Sequence, residues 1–203
     1  MNEEFYYTIA QPVVTEFKDR GSRFLAYAYP LSSVDDFKAK MKLLKEEHPK
    51  AVHHCFAYRL GVDGNTFRVS DDGEPSGSAG KPILNQIYSA EVTNVLVAVV
   101  RYFGGTLLGV PGLIAAYKGA AAEALAVANI ITHEVLAWYN ITCPYTTLHE
   151  VMNLLKKENV TIAEQQMETD CRFKVAVQQS LTEKLNHELA TILGVSVIFI
   201  EYA

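Results

Sequence analysis

The apolar run from Val95 to Val100, set inside NVLVAVVRYFGGTLLGVPGL (94–113), constrains the fold more than any other segment. It is too short to span a membrane and rich in β-branched residues, so it reads as a strand covered on both faces. Arg101 follows where that strand must leave the core. Gly104, Gly105, Gly109 and Gly112 then let the backbone turn sharply and approach another surface closely. A helix beginning after Gly112 would aim its free N–H groups back at the same mouth. Strand end, cation, glycines and helix start together describe a site for an anion or for a partner's backbone.

A chain of 203 residues holds one large or two small domains. With 49% hydrophobic and 20% charged residues it has the composition of a folded protein. No stretch reads as long and apolar enough to cross a bilayer, so no membrane partner is expected. The start, MNEEFYYTIAQ, is acidic and lacks a basic segment with an apolar core, so a secretory signal is not expected either. Cys55, Cys143 and Cys171 are odd in number and far apart, which argues against a disulfide framework and fits a cytoplasmic protein. Without a CxxC pair, a structural zinc site is not expected.

Residues 1–130 hold 13 Lys+Arg against 14 Asp+Glu, and residues 131–203 hold 5 against 9. Neither half is the basic surface on which non-specific nucleic-acid binding depends. A local patch could still form from Arg20, Arg23, Arg59, Arg68, Lys81, Arg101 and Lys118; the plainer reading is a solvated mixed surface.

The second half reads as strand 131–143, helix 145–158, strands 160–168 and 171–178, helix 181–193 and strand 195–202. That β-α-β-β-α-β order is the ferredoxin-like, split βαβ pattern, an α+β sandwich with its helices on one face. The first half reads as strands at 8–17, 22–29, 52–60, 66–71 and 94–101, with helices at 33–47, 79–89 and 112–128. The two domains, 1–130 and 131–203, meet without a Pro/Gly/Ser linker.

A second polar cluster comes from His53-His54-Cys55, which opens one strand, and Ser70-Asp71-Asp72-Gly73-Glu74-Pro75, which closes the next. A hairpin turning near Asp63 sets His54 opposite Asp72 and Cys55 opposite Asp71, with His53 and Cys55 on one face and His54 on the other. Three readings stay open: a metal or acid–base site, a structural network in which the aspartates bond turn amides, or a rim for ligand or partner binding. In the following loop, Pro75 to Pro82, the amides and Lys81 could hold phosphate. Several short motifs fail. Gly80-Lys81 ends like a P-loop, but Pro75 and Pro82 stand where glycine and Ser/Thr are required. Ser78-Ala79-Gly80-Lys81 lacks the companion Lys-Thr-Gly of penicillin-binding enzymes, and the glycines at 104–112 lack dinucleotide-binding spacing.

Ser22-Arg23-Phe24, HPKAVHHCFAYRLG (48–61), SDDGEPSGSAGKP (70–82) and VRYFGGTLLG (100–109), with Gly112, Leu113 and Tyr117, resemble the YigZ/Impact family over most of residues 15–130. The remainder is similar to the C-terminal domain of bacterial members, whose fold resembles the last domains of elongation factor G. The resemblance implies an N-terminal domain with the ribosomal protein S5 domain 2-like fold and no established enzymatic activity. It implies a setting in translation: eukaryotic relatives act in translational control, and bacterial ones have been suggested to bind nucleic acid or ribosomal components. Matching the family motifs residue by residue marks His53, His54, Asp71, Asp72, Glu74, Lys81, Arg101, Gly104 and Gly105 as binding-surface positions. One departure is Val110-Pro111-Gly112-Leu113, where relatives commonly carry Thr-Gly-Gly-Leu. Pro111 removes an N–H and so weakens an anion cradle at that helix start.

The expectation is thus a non-enzymatic, translation-associated or regulatory binding protein that contacts RNA or a ribosome-associated protein through its N-terminal domain. No catalytic residue, metal or cofactor is assigned, and the sequence sets no oligomeric state. The alternatives are an enzyme or sensor binding a small phosphorylated ligand at the His/Asp and Gly-rich loop cluster, and motifs that serve folding alone.

Overall fold

The computed structural model describes residues 4–203 and is of mixed α+β type. Two compact units divide it: Tyr6–His133, and residues 4–5 with Glu134–Ala203. In chain order the first carries β1 (Phe5–Ile9), β2 (Val13–Asp19), β3 (Ser22–Pro30), α1 (Val34–Glu47), β4 (His53–Leu60), β5 (Thr66–Ser70), α2 (Gly80–Ser89), β6 (Val95–Tyr102), α3 (Gly109–Val127) and β7 (Ile130–Glu134), with Phe5 of β1 and Glu134 of β7 counted in the second unit.

Five strands form one antiparallel sheet in the order β2-β3-β6-β4-β5. Central β6 is buried from Val95 to Arg101, as an apolar run without alternation requires. Its odd residues Val95, Val97 and Val99 join Phe24, Cys55 and Ala57 against Ile83 and Ile87 of α2 and Leu113, Tyr117 and Ala120 of α3. Its even residues Leu96, Ala98 and Val100 pack with Phe56 and Tyr58 against Phe37, Met41 and Leu44 of α1 on the opposite face. Each fully buried Val or Leu contributes about 1.5–3 kcal/mol relative to exposure, so a strand clad on both sides anchors the unit. Ser33 starts α1 by accepting the Asp36 N–H at 3.1 Å, a cap worth about 1 kcal/mol.

The second unit carries β8 (Leu136–Cys143), α4 (Leu148–Lys157), β9 (Thr161–Met167), β10 (Cys171–Gln178), a single 3-10 turn (Gln179–Leu181), α5 (Thr182–Ala190) and β11 (Ser196–Tyr202). Its sheet runs β11-β8-β10-β9, antiparallel throughout. Tyr139, Ile141, Phe173 and Val175 pack against Val151, Leu154 and Leu155 of α4 and Leu185 and Leu189 of α5.

Four expectations need correction. The strand read at 8–17 is two, β1 and β2, broken before Pro12, which cannot donate to a ladder and biases Gln11 against helix. The strand read at 131–143 breaks at Val135, whose N–H goes to the Glu4 carbonyl and whose carbonyl accepts from Gln179, outside both ladders. Helix α3 starts at Gly109, not after Gly112, with Pro111 in its first turn, where a missing N–H costs no intrahelical bond. And α3, at 19 residues, is long and apolar enough to cross a membrane by length and composition alone. Here it buries Leu113, Ala116, Tyr117, Ala120, Ala121 and Ala124 in the core of its own unit.

Candidate functional site

The β4–β5 hairpin pairs Phe56 with Ser70 and Leu60 with Thr66. Continued past Ser70, that register carries the chain back beside Cys55 and His54. On its other side β4 pairs with β6, setting His53 directly opposite Arg101. The two motifs, remote in sequence, therefore meet at one end of the sheet.

The turn after β5 is built by its own aspartates. Asp72 and Gly73 both take positive φ, 41° and 90°, and the Glu74 N–H closes onto the Asp71 carbonyl at 2.9 Å. The Asp71 carboxylate accepts N–H groups from Gly77 (2.8 Å), Ala79 (3.0 Å) and Gly80 (2.8 Å) at the start of α2. Burial pushes the Asp71 pKa up, but those three donors outweigh it and hold the group below its ordinary value. The amides that the sequence offered to phosphate are thus taken by an internal carboxylate. Asp72 Oδ2 accepts the His54 N–H at 2.7 Å, and the Asp72 carbonyl lies 2.8 Å from His53 Nδ1. A carbonyl only accepts, so Nδ1 carries a proton, and His53 Nε2 lies 3.9 Å from Glu74 Oε1.

Glu74 is the hub. Its Oε1 accepts from Arg101 Nη1 at 2.6 Å and from the Tyr117 hydroxyl at 2.7 Å. The side chains of Arg101 and Glu74 are 8% and 3% exposed, so this is a buried ion pair. The Arg101 guanidinium also sits 5.6 Å from the Phe24 ring and 5.7 Å from the Phe103 ring. Cys55 Sγ lies 3.0 Å from the Asp71 carbonyl and 3.3 Å from the Tyr117 hydroxyl. Burial pushes its pKa up to about 12, so it stays a thiol at neutral pH. Burial raises the Tyr117 pKa as well, keeping the phenol a donor to Glu74.

Over this network opens a cavity of about 540 Å³. His53, Glu74 and Arg101 line it together with Val52, Pro75, Phe103, Leu107, Leu108, Val110 and Leu113. Of the other positions marked from sequence, none lines it. His54 is buried on the α1 side of the sheet, where burial lowers its pKa and outweighs the opposing pull of Asp72. Asp71 and Asp72 hold the turn. Lys81 is exposed in the first turn of α2, without an ion-pair partner among the described residues. Gly104 packs against the β2–β3 turn: a Cβ there would fall onto the Gly21 and Ser22 backbone, and its N–H donates to Ser22 Oγ at 3.2 Å. That close approach is to the protein's own chain. Gly105 turns beside it with φ +87°.

Three of the seven basic-patch residues are taken in the same way, while Arg20, Arg68, Lys81 and Lys118 are exposed. Arg23 pairs with Glu16, Arg59 donates to the Gly64 and Val92 carbonyls, and Arg101 is spent on Glu74. Among the described residues, no group of three His, Cys, Asp or Glu side chains is placed to hold a metal ion. Sequence reasoning missed the apolar rim. Its signal was present in the Phe103 and Leu107-Leu108 that interrupt a glycine-rich loop, where polar turn formers are the norm.

The Impact N-terminal domain family matches residues 20–125. An Impact family member of Haemophilus influenzae is 32% identical over 179 residues, 87% of each chain. The Impact family member YigZ of Escherichia coli is 33% identical over 183 residues, 89% of this chain and 90% of that one. A solved structure described as a hypothetical protein superposes with a TM-score of 0.78 at 32% identity, covering 98% of both chains. Protein IMPACT of rat is 34% identical over 94 residues, 45% of this chain and 30% of its own. By a match over half its length and by relatives aligned nearly end to end, this chain belongs to the Impact family.

Proposed function

We propose that the Tyr6–His133 unit is a non-catalytic binding module of the translation apparatus whose cavity receives a ribosome-associated protein. One observation carries the choice of a protein over RNA: the strand-end cation is already neutralised, and what the cavity offers outward is apolar. Val52, Phe103, Leu107 and Val110 are 69%, 53%, 83% and 45% exposed around it. Clustered exposed apolar side chains around a fixed polar floor are the anatomy of a protein-binding hot spot. Phosphate contacts instead require free Lys and Arg, and the cation lining this cavity, Arg101, is paired with Glu74. Family membership supplies the translational setting. The strand order β11-β8-β10-β9 supports a ferredoxin-like reading of the second unit, and the α+β first unit is read as ribosomal protein S5 domain 2-like. A small phosphorylated ligand is disfavoured, because Asp71 occupies the loop amides and Glu74 the cation. A cytoplasmic location accords with three free, buried cysteines.

The test is co-sedimentation with crude ribosomes and with ribosomes washed in high salt to strip associated proteins. The protein should pellet with the first and not with the second, and Leu107→Asp should lower its affinity about tenfold or more. Failure to pellet with crude ribosomes at low salt overturns the proposal.

A further inference from the structure

The hydrogen-bond ledger of the cavity floor specifies its ligand more closely. Arg101 carries its donors on two sides. Nη1 is spent on Glu74. Nε is buried and has no partner among the described residues, and Nη2 donates to none of them. Nε–H and Nη2–H lie on the same edge of a guanidinium and form its side-on fork, the geometry that takes paired or single oxygen acceptors. A buried, unpaired N–H on a side chain more than nine-tenths buried is a donor in want of an oxygen. The exposed Phe103 ring, 5.7 Å from the guanidinium, is part of its cover.

Charge decides what kind of oxygen. Arg101 and Glu74 sum to zero, and the Asp72 carbonyl directs a His53 proton onto Nδ1. An incoming phosphate or carboxylate would place a net negative charge beside Glu74 in an apolar cavity, which desolvation opposes. A neutral carbonyl satisfies the fork without that cost. The walls, Val52, Phe103, Leu107, Leu108, Val110 and Leu113, ask for apolar side chains on either side of it. With Nδ1 turned to the Asp72 carbonyl, the neutral His53 ring would offer Nε2 at the same floor as an acceptor for an amide N–H.

We infer that the cavity is a receptor for an extended apolar peptide segment, read by one backbone carbonyl on the Arg101 Nε/Nη2 edge, one N–H on His53 Nε2, and flanking aliphatic or aromatic side chains in the groove. This rests on the reading of the unit as a protein-binding module and names the chemistry of what it binds.

The probe is the uncharged peptide Ac-Gly-Leu-Phe-Leu-Gly-NH2, titrated into ¹⁵N-arginine-labelled full-length protein and followed by the side-chain Nε–H resonances. The Arg101 Nε–H should move downfield and saturate. Leu107→Asp, at an exposed position, should weaken the titration at least about tenfold while leaving the unliganded spectrum folded. The serine-substituted peptide Ac-Gly-Ser-Ser-Ser-Gly-NH2 and inorganic phosphate should leave the resonance in place. No saturable shift with the apolar peptide, or a saturable one with phosphate, overturns the inference. The outcome is separable from the translational reading. Ribosome co-sedimentation that survives in Leu107→Asp removes the cavity and keeps the setting. Peptide binding without co-sedimentation removes the setting and keeps the cavity.

Discussion

Replacing Glu74 with leucine tests whether the ion pair at the cavity floor is held by burial or merely touches solvent. Both side chains are nearly inaccessible, and one carboxylate oxygen serves two donors at 2.6 and 2.7 Å. Removing the carboxylate strands a buried guanidinium and a buried phenol, a loss of about 3–5 kcal/mol. With a urea m-value of about 2 kcal/mol/M, the unfolding midpoint at pH 7 should fall by about 2 M. Salt screens so deeply buried a pair only weakly, so most of the loss should hold at high salt. The companion variant Glu74→Leu/Arg101→Met/Tyr117→Phe removes every group that needs the carboxylate and should recover to within about 1–2 kcal/mol of the parent. A single-variant loss below about 1 kcal/mol, or a triple variant as unstable as the single, refutes the reasoning. The first result would mean the charges are solvated, the second that their contribution is shape rather than electrostatics.

Gly104→Ala drives a Cβ into the Gly21–Ser22 backbone and should cost about 2–4 kcal/mol or prevent folding, read by thermal unfolding; a neutral outcome would show that the two loops separate freely. Asp71→Ala leaves three N–H groups at the start of α2 without their acceptor, for about 2–3 kcal/mol. Faster hydrogen exchange at Gly77, Ala79 and Gly80 would check it. Stability should fall with acid in two windows. His54 has a folded pKa below its ordinary 6.5, so the unfolded chain takes up the proton first and stability declines as pH drops below about 6.5, until the folded pKa is passed. Asp71 has a depressed folded pKa, so its contribution is complete above about pH 4 and vanishes as pH falls through that lower value. Urea unfolding between pH 8 and 5 should show the first slope, and His54→Gln should flatten it.

Much of this arrangement was legible in the residues. The apolar β-branched run at 95–100 required a strand with packing on both sides, and it has α1 on one face and α2 with α3 on the other. The turn formers at 61–65 set a hairpin whose register carries the His and Asp motifs together. What pattern reading could not supply was the assignment of partners. Arg101, the amides before α2 and Gly104 have the makings of an anion site, but each is consumed within the fold, by Glu74, by the Asp71 carboxylate and by the Gly21 turn. Residue type names a capacity, and only the close approach of distant segments shows whether that capacity is already used. The breaks at Pro12 and Val135 escaped for a related reason. Apolar alternation continues across them, and only the destination of each backbone N–H marks where one ladder ends.

With the strand-end cation neutralised by Glu74, the proposed cavity selects by apolar contact rather than by phosphate. The salt dependence of binding to crude ribosomes measures this directly. Apolar recognition predicts an affinity nearly flat between about 50 and 200 mM salt, whereas several phosphate contacts would cost orders of magnitude over that range. A steep decline in log affinity with log salt, flattened by Arg101→Met, would contradict it.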